Sequence, residues 1–189
     1  MNDLHVSWDQ YHDLIEDLAV KVAESHWEFD TVLCLARGGL RIGDVFSRLF
    51  GKPFAILSTS SYREDSGTRQ GTLIVADHFT STARELGKRV LLIDDMADSG
   101  RTLHAVVEHL RARHAEIEEI RTAVLWHKAH SVHTPHYAVQ FLSESPWIHQ
   151  PFELYDGMPM ETLMRRAAQR RRQAEEDTAD AIERSAKNG

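Results

Sequence analysis

The chain has 189 residues, 42% of them hydrophobic and 27% charged, which suits one domain with a substantial core. Its 22 basic and 29 acidic side chains give a formal net charge of −7, which argues against a protein that coats nucleic acid or an anionic membrane. One cysteine, Cys34, excludes an internal disulfide and a multi-cysteine zinc site, and no apolar run reaches membrane-spanning length.

The first residues lack a basic-then-apolar leader pattern, so the expectation is a soluble cytoplasmic protein. Ser7-Trp8-Asp9-Gln10 fits a capping box, and Leu14, Ile15, Leu18 and Val22 follow at helical spacing. An opening helix of about five turns is predicted. "TVLCLA" (31–36) reads as a buried strand in which Cys34 is small core filler. After "RGG" comes "LRIGDVFSRLF", where Leu40, Val45, Phe46, Leu49 and Phe50 roughly keep a helical face. "GKP" punctuates it, and "FAILST" is a second strand. Residues 60–71, "SSYREDSGTRQG", lack apolar periodicity and read as a long loop of the kind that carries function.

"TLIVA" and "RVLLID" are further strands, and the second runs into "VLLIDDMADSGRTL" (90–103). Leu103, Val106, Val107 and Leu110 then mark a helix. "IRTAVLWHK" and "YAVQFL" are strands on either side of a loop in which His127, His130, His133 and His136 recur every third residue. That spacing admits a transition-metal site. Pro135 and the lack of a cysteine or carboxylate partner favour surface histidines. Alternating strands and helices predict an α/β fold, a mostly parallel twisted sheet flanked by helices. From about Glu161 the chain is helix-prone and poor in large apolar residues; its five arginines between Arg165 and Arg172 read as a solvated helical face or a contact for a partner or RNA.

The acidic turn is the most chemically telling stretch. In a parallel sheet, ligands bind beyond the carboxyl ends of the strands, where Asp94 and Asp95 fall. Backbone amides of Asp98 to Thr102, opening the next helix, offer an anion cradle; Gly100 permits a tight turn, and Ser99 and Thr102 add hydroxyls. Carboxylates beside an anion nest suit a sugar phosphate with a divalent cation. "GGLRIGDV" has the glycine spacing of a nucleotide-binding P-loop, but Asp44 and Val45 stand where Lys and Ser/Thr are required.

"VLLIDDMADSGRTL" resembles the phosphoribosyl-pyrophosphate (PRPP) motif of the type I phosphoribosyltransferases, and four further pieces agree in order. "LARGG" resembles the family's pyrophosphate loop. Ser61-Tyr62 stands where 6-oxopurine members carry a Ser-Tyr pair on a catalytic loop. Lys128 falls where they place a lysine on the purine oxo group. "PWIHQPFE" (146–153) is similar to the base-binding segment of bacterial xanthine-guanine members, with Phe152 and Glu153 replacing a tryptophan and an aspartate.

The resemblance implies a phosphoribosyltransferase fold with a small hood region over residues 1–158, followed by a helical or frayed tail, 159–189. The implied reaction joins a 6-oxopurine (guanine, xanthine or hypoxanthine) to PRPP, giving a nucleoside 5′-monophosphate and pyrophosphate, with Mg²⁺, in purine salvage. It implies that Arg37, Gly38, Ser61 and Tyr62 bind pyrophosphate or PRPP. Asp94 and Asp95 bind the ribose hydroxyls directly or through Mg²⁺ and water, while Asp98, Ser99, Gly100, Arg101 and Thr102 hold the 5′-phosphate. Asp98 is the general acid/base near purine nitrogen-7. Lys128 reads the 6-oxo group, Trp147 stacks on the base, and the Ile148 carbonyl and Glu153 accept from a 2-amino group. The family also implies a homodimer or homotetramer. A non-catalytic PRPP- or nucleotide-sensing regulator on the same fold is the alternative, and a phosphoribosyltransferase for another base a third.

Overall fold

The computed structural model describes residues 3–61 and 73–187; for Ser61 and beyond residue 178 only the backbone is described. The chain divides into two compact units, Met1–Ile148 and His149–Gly189.

In the first unit the elements run β1 (Leu4–His5), α1 (Trp8–Glu24), β2 (Thr31–Ala36), α2 (Leu40–Phe50) and β3 (Phe54–Ser61). After them come β4 (Leu73–Val75), β5 (Thr80–Ser81), β6 (Arg89–Ile93), β7 (Met96–Ala97), α3 (Arg101–Arg113), β8 (Glu119–Lys128) and β9 (Tyr137–Leu142). A two-residue strand, β10 (Ile148–His149), stands at the boundary. The capping box forms: Ser7 Oγ accepts from the Gln10 amide at 3.2 Å, and the Gln10 side chain accepts from the Ser7 amide at 2.9 Å.

The sheet has the order β4-β3-β2-β6-β8-β7, with β5 on β3 and β9 on β8. The β2, β3, β6, β7, β8 and β9 pairings are parallel, whereas β4 and β5 run antiparallel to β3. The predicted mostly parallel sheet flanked by helices is therefore present. Its central strands β2, β6 and β8 are buried on both faces, which explains their apolar runs. Leu33, Leu35, Val90, Leu92 and Val124 pack with Leu103, Val106, Val107 and Leu110 of α3 in one core. Neighbouring positions alternate to the other face, where a Cβ on Gly43 would run into Cys34 Sγ, so α2 lies close against β2.

Two local expectations are corrected. The face of α2 that is buried is Ile42, Gly43 and Phe46, while Leu49 is exposed; the close approach at Gly43 turns the helix away from the apolar count. The long polar segment is narrower than expected, because Ser60 and Ser61 extend β3 and pair with Ile74 and Leu73.

In the second unit, a 3-10 turn (Glu153–Tyr155) precedes α4 (Met160–Lys187), a 28-residue helix on which all five arginines from Arg165 to Arg172 are exposed. Among the described residues no helix is long and apolar enough to cross a membrane.

Candidate functional site

Because β2, β3, β6 and β8 are parallel, their carboxyl ends lie along one sheet edge. The residues that follow those ends are the ones singled out in the sequence. Arg37 and Gly38 follow β2, Asp94 and Asp95 follow β6, and Lys128 ends β8.

The turn after β2 has a cis Ala36-Arg37 peptide. It carries Gly38 so close to the acidic pair that a Cβ there would stand 2.7 Å from Asp94 Oδ1 and from the Asp95 carboxylate. A Cβ on Gly39 would meet the Ile93 carbonyl. Asp94 Oδ1 accepts from the Asp95 amide at 3.0 Å. Burial, and then the charge of Asp95, push the Asp94 carboxyl well above the ordinary carboxylate range, against the bond from that amide. Tyr11 is buried beneath, and burial followed by the Asp95 charge raises its hydroxyl above the usual phenol range. Sequence reasoning missed Tyr11, whose helical position marks it only as core. Arg37 itself is exposed and lines a groove of about 530 Å³ with His12, Leu40 and Arg41, a groove that neither Asp94 nor Asp98 lines.

Past the acidic pair the backbone stays in register with β8. The Leu125 amide donates to the Asp95 carbonyl at 2.9 Å, and Met96 and Ala97 pair with Trp126 and His127. One residue further, that register sets Asp98 beside Lys128. Lys128 is 5% exposed, and its Nζ lies 3.1 Å from Asp98 Oδ1. Lysine is rarely buried this deeply without a charged partner.

The next residues open α3. Gly100 caps it at φ 72, without a side-chain cap, and the Arg101 amide reaches Ser99 Oγ at 3.5 Å. The N-terminus of α2, capped by Gly39, also lacks a side-chain cap. First-turn amides have no acceptor within their own helix, and the helix dipole strengthens them as donors to an anion. The same sheet edge thus presents two such helix starts with the carboxylates between them in sequence.

The histidines of this run make specific contacts at the surface. His130 Nε2 lies 3.1 Å from Asp98 Oδ1. His133 Nε2 lies 3.0 Å from Thr122 Oγ1, and the Thr122 amide donates to His136 Nδ1 at 3.1 Å. All four histidines lie at the surface, His130 and His136 exposed and His127 and His133 half-buried, while the loop that carries them folds back onto β8 and onto Ser99. Among the described residues no group of three or more His, Cys, Asp or Glu side chains is placed to hold a metal ion.

The remaining candidates are placed as follows, and some lie outside the described residues. Trp147 is 65% exposed, its carbonyl accepts from the Leu4 amide at 2.8 Å, and Ile148 is buried. Arg101 and Thr102 lie in the first turn of α3. Glu153 belongs to the second unit, 3.9 Å from His149 Nδ1. Tyr62 lies outside the described residues, as does the side chain of Ser61.

Comparison with known proteins matches residues 7–157 of the chain to a family described as "Phosphoribosyl transferase domain". A xanthine-guanine phosphoribosyltransferase of Gluconobacter oxydans is 31% identical over 106 residues, which is 56% of this chain and 61% of that protein. The chain therefore matches less than two thirds of that relative's length. A purine phosphoribosyltransferase structure from Pyrococcus horikoshii superposes with a TM-score of 0.63 at 27% identity, covering 80% of this chain and 94% of that one. A xanthine-guanine-hypoxanthine phosphoribosyltransferase of Helicobacter pylori shares the fold, with a TM-score of 0.67 at 23% identity over 81% and 95% of the two chains.

Proposed function

The chain belongs to the phosphoribosyl transferase domain family, and on that premise we propose that it is a purine salvage enzyme joining a 6-oxopurine to PRPP. The observation that carries this reading is the acidic pair pressed against Gly38 on a sheet edge with two helix starts that lack side-chain caps. PRPP carries two anionic ends on a sugar, and those helix starts, after β2 and after Ala97, offer one donor set for each. Relatives named for xanthine, guanine and hypoxanthine support the choice of base.

Asp98 acts at purine nitrogen-7 as general acid/base, and its pairing with Lys128 holds it at the end of β7. Lys128 donates to the 6-oxo group; adenine would present an amino donor there and leave the buried ammonium unmatched. Asp98 to Thr102 hold the 5′-phosphate, Arg37, Gly38, Ser61 and Tyr62 the pyrophosphate. Trp147 stacks on the base, and the Ile148 carbonyl and Glu153 accept from a 2-amino group.

Asp94 and Asp95 bind the ribose hydroxyls or Mg²⁺, directly or through water. They fit that ion: hard oxygen donors, one of them driven toward protonation by its neighbour and by burial, gain from a divalent cation. When bound, Mg²⁺ neutralises charge on the pyrophosphate. The catalytic unit is residues 1–158 with 159–189 as a helical appendage, the location is the cytoplasm, and the assembly is a homodimer or homotetramer.

Pyrophosphate release by the wild type and by Asp98→Asn tests this reading. Asp98→Asn is expected to keep PRPP binding and to slow turnover by about 100-fold or more, the usual worth of a general acid/base. Equal rates would remove the role of Asp98. A wild type that binds PRPP and releases no pyrophosphate with any base would favour the sensing regulator.

A further inference from the structure

Asp98 has two nitrogen-bearing neighbours, Lys128 and His130, and only Lys128 belongs to the purine-reading role above. Lys128 Nζ and His130 Nε2 both lie 3.1 Å from Asp98 Oδ1, and neither contact uses Oδ2. Their settings differ. The Lys128 side chain is buried, while about half of the His130 side chain is open to solvent.

The backbone aims His130 at Asp98. The Ala129 amide donates to Leu142 of β9 at 2.9 Å, and the Ser131 amide returns to the Lys128 carbonyl at 3.0 Å, so the residues flanking His130 are both tied down. The Val132 amide then donates to the Ser99 carbonyl at 2.9 Å, joining this turn to the residue next to Asp98. Ser131 Oγ fills the space a Cβ on Gly100 would need, and it donates to the His133 carbonyl at 2.7 Å. A side chain held this way brings its hydrogen bond without ordering a loop at the moment of reaction.

We propose that His130 is a positioning residue for Asp98. When Lys128 turns part of its donor capacity to the purine 6-oxo group, its hold on Asp98 weakens. His130 keeps Oδ1 fixed through that change, so that Oδ2 stays directed at the purine nitrogen. The Asp98 side chain is about half exposed, so these two contacts to Oδ1 are what fix the direction of its carboxylate. This inference rests on the proposed purine phosphoribosyl transfer.

Steady-state kinetics with PRPP, Mg²⁺ and hypoxanthine test it on the wild type, His130→Ala and His130→Gln. Glutamine places an amide donor near the Nε2 position, and alanine places none. His130→Ala is expected to lower kcat about tenfold, with KM for PRPP within about twofold of wild type, since a misplaced reacting group costs rate rather than substrate binding. His130→Gln is expected to recover most of kcat. An unchanged kcat in His130→Ala would overturn the inference, and so would a glutamine variant as slow as the alanine one, which would point to a shape requirement only. A wild type without turnover overturns the proposed function and the inference together, whereas turnover that ignores His130→Ala removes the role of His130 alone.

Discussion

A hydrogen in place of a methyl group at Gly38 decides whether the turn after β2 can lie against Asp94 and Asp95. Gly38→Ala would drive a Cβ to 2.7 Å from both carboxyl groups, which must then turn away. Displacing reacting groups by about 1 Å typically costs about 100-fold, so kcat/KM for PRPP is expected to fall by about that factor while the melting temperature changes little. Gly39→Ala meets the Ile93 carbonyl, a backbone atom that cannot swing aside, and is expected to lower the melting temperature measurably. Thermal melts and initial rates on the two variants check this contrast, and a Gly38→Ala enzyme at wild-type rate would contradict it. The glycine pair was readable in the sequence as a turn after a buried strand. Its partner was not, because an approach between segments some 56 residues apart leaves no trace in local pattern.

At the scale of elements, the long strands and α3 were legible because buried parallel strands and a one-faced helix write strong apolar periodicities. Two-residue strands carry no period, so β7 was invisible, although its register with Trp126 and His127 is what brings Asp98 to Lys128. The same limit hid the loop after β8. His133 and His136 are spaced like metal ligands, yet their partner is Thr122, on the strand they follow. Burial lowers both imidazoles below their usual 6.5; for His133 the charges of other histidines add to it, and for His136 that of Arg121. Glu119 opposes the shift at His136.

Proton uptake is therefore easier in the unfolded chain, and the stability these rings contribute is complete above the usual histidine value and lost as pH falls below it. A protonated His136 Nδ1 also cannot accept from the Thr122 amide. The urea midpoint is expected to fall between about pH 7 and about pH 5. A double variant, His133→Gln with His136→Asn, keeps side-chain polar groups near Thr122 without titrating and should flatten that slope. Parallel slopes for the two proteins would contradict the assignment.

For the whole molecule, the mostly parallel sheet followed from the alternation of strands and helices, and the family from "VLLIDDMADSGRTL" with its companion segments in order. The sheet explains why pieces scattered over the chain belong together: parallel strands put every carboxyl end on one edge. What the sequence left open is the base, since the oxo group proposed as the partner of Lys128 is common to three purines. The central claim is phosphoribosyl transfer to a 6-oxopurine. Its most direct test is the initial rate of pyrophosphate release from PRPP and Mg²⁺ with guanine, xanthine, hypoxanthine and adenine in parallel, the nucleotide product identified by mass. Turnover is predicted with at least one 6-oxopurine and at a rate at least about tenfold lower with adenine, for which Lys128 has no acceptor. Release with none of the four bases, or with adenine alone, would contradict the account.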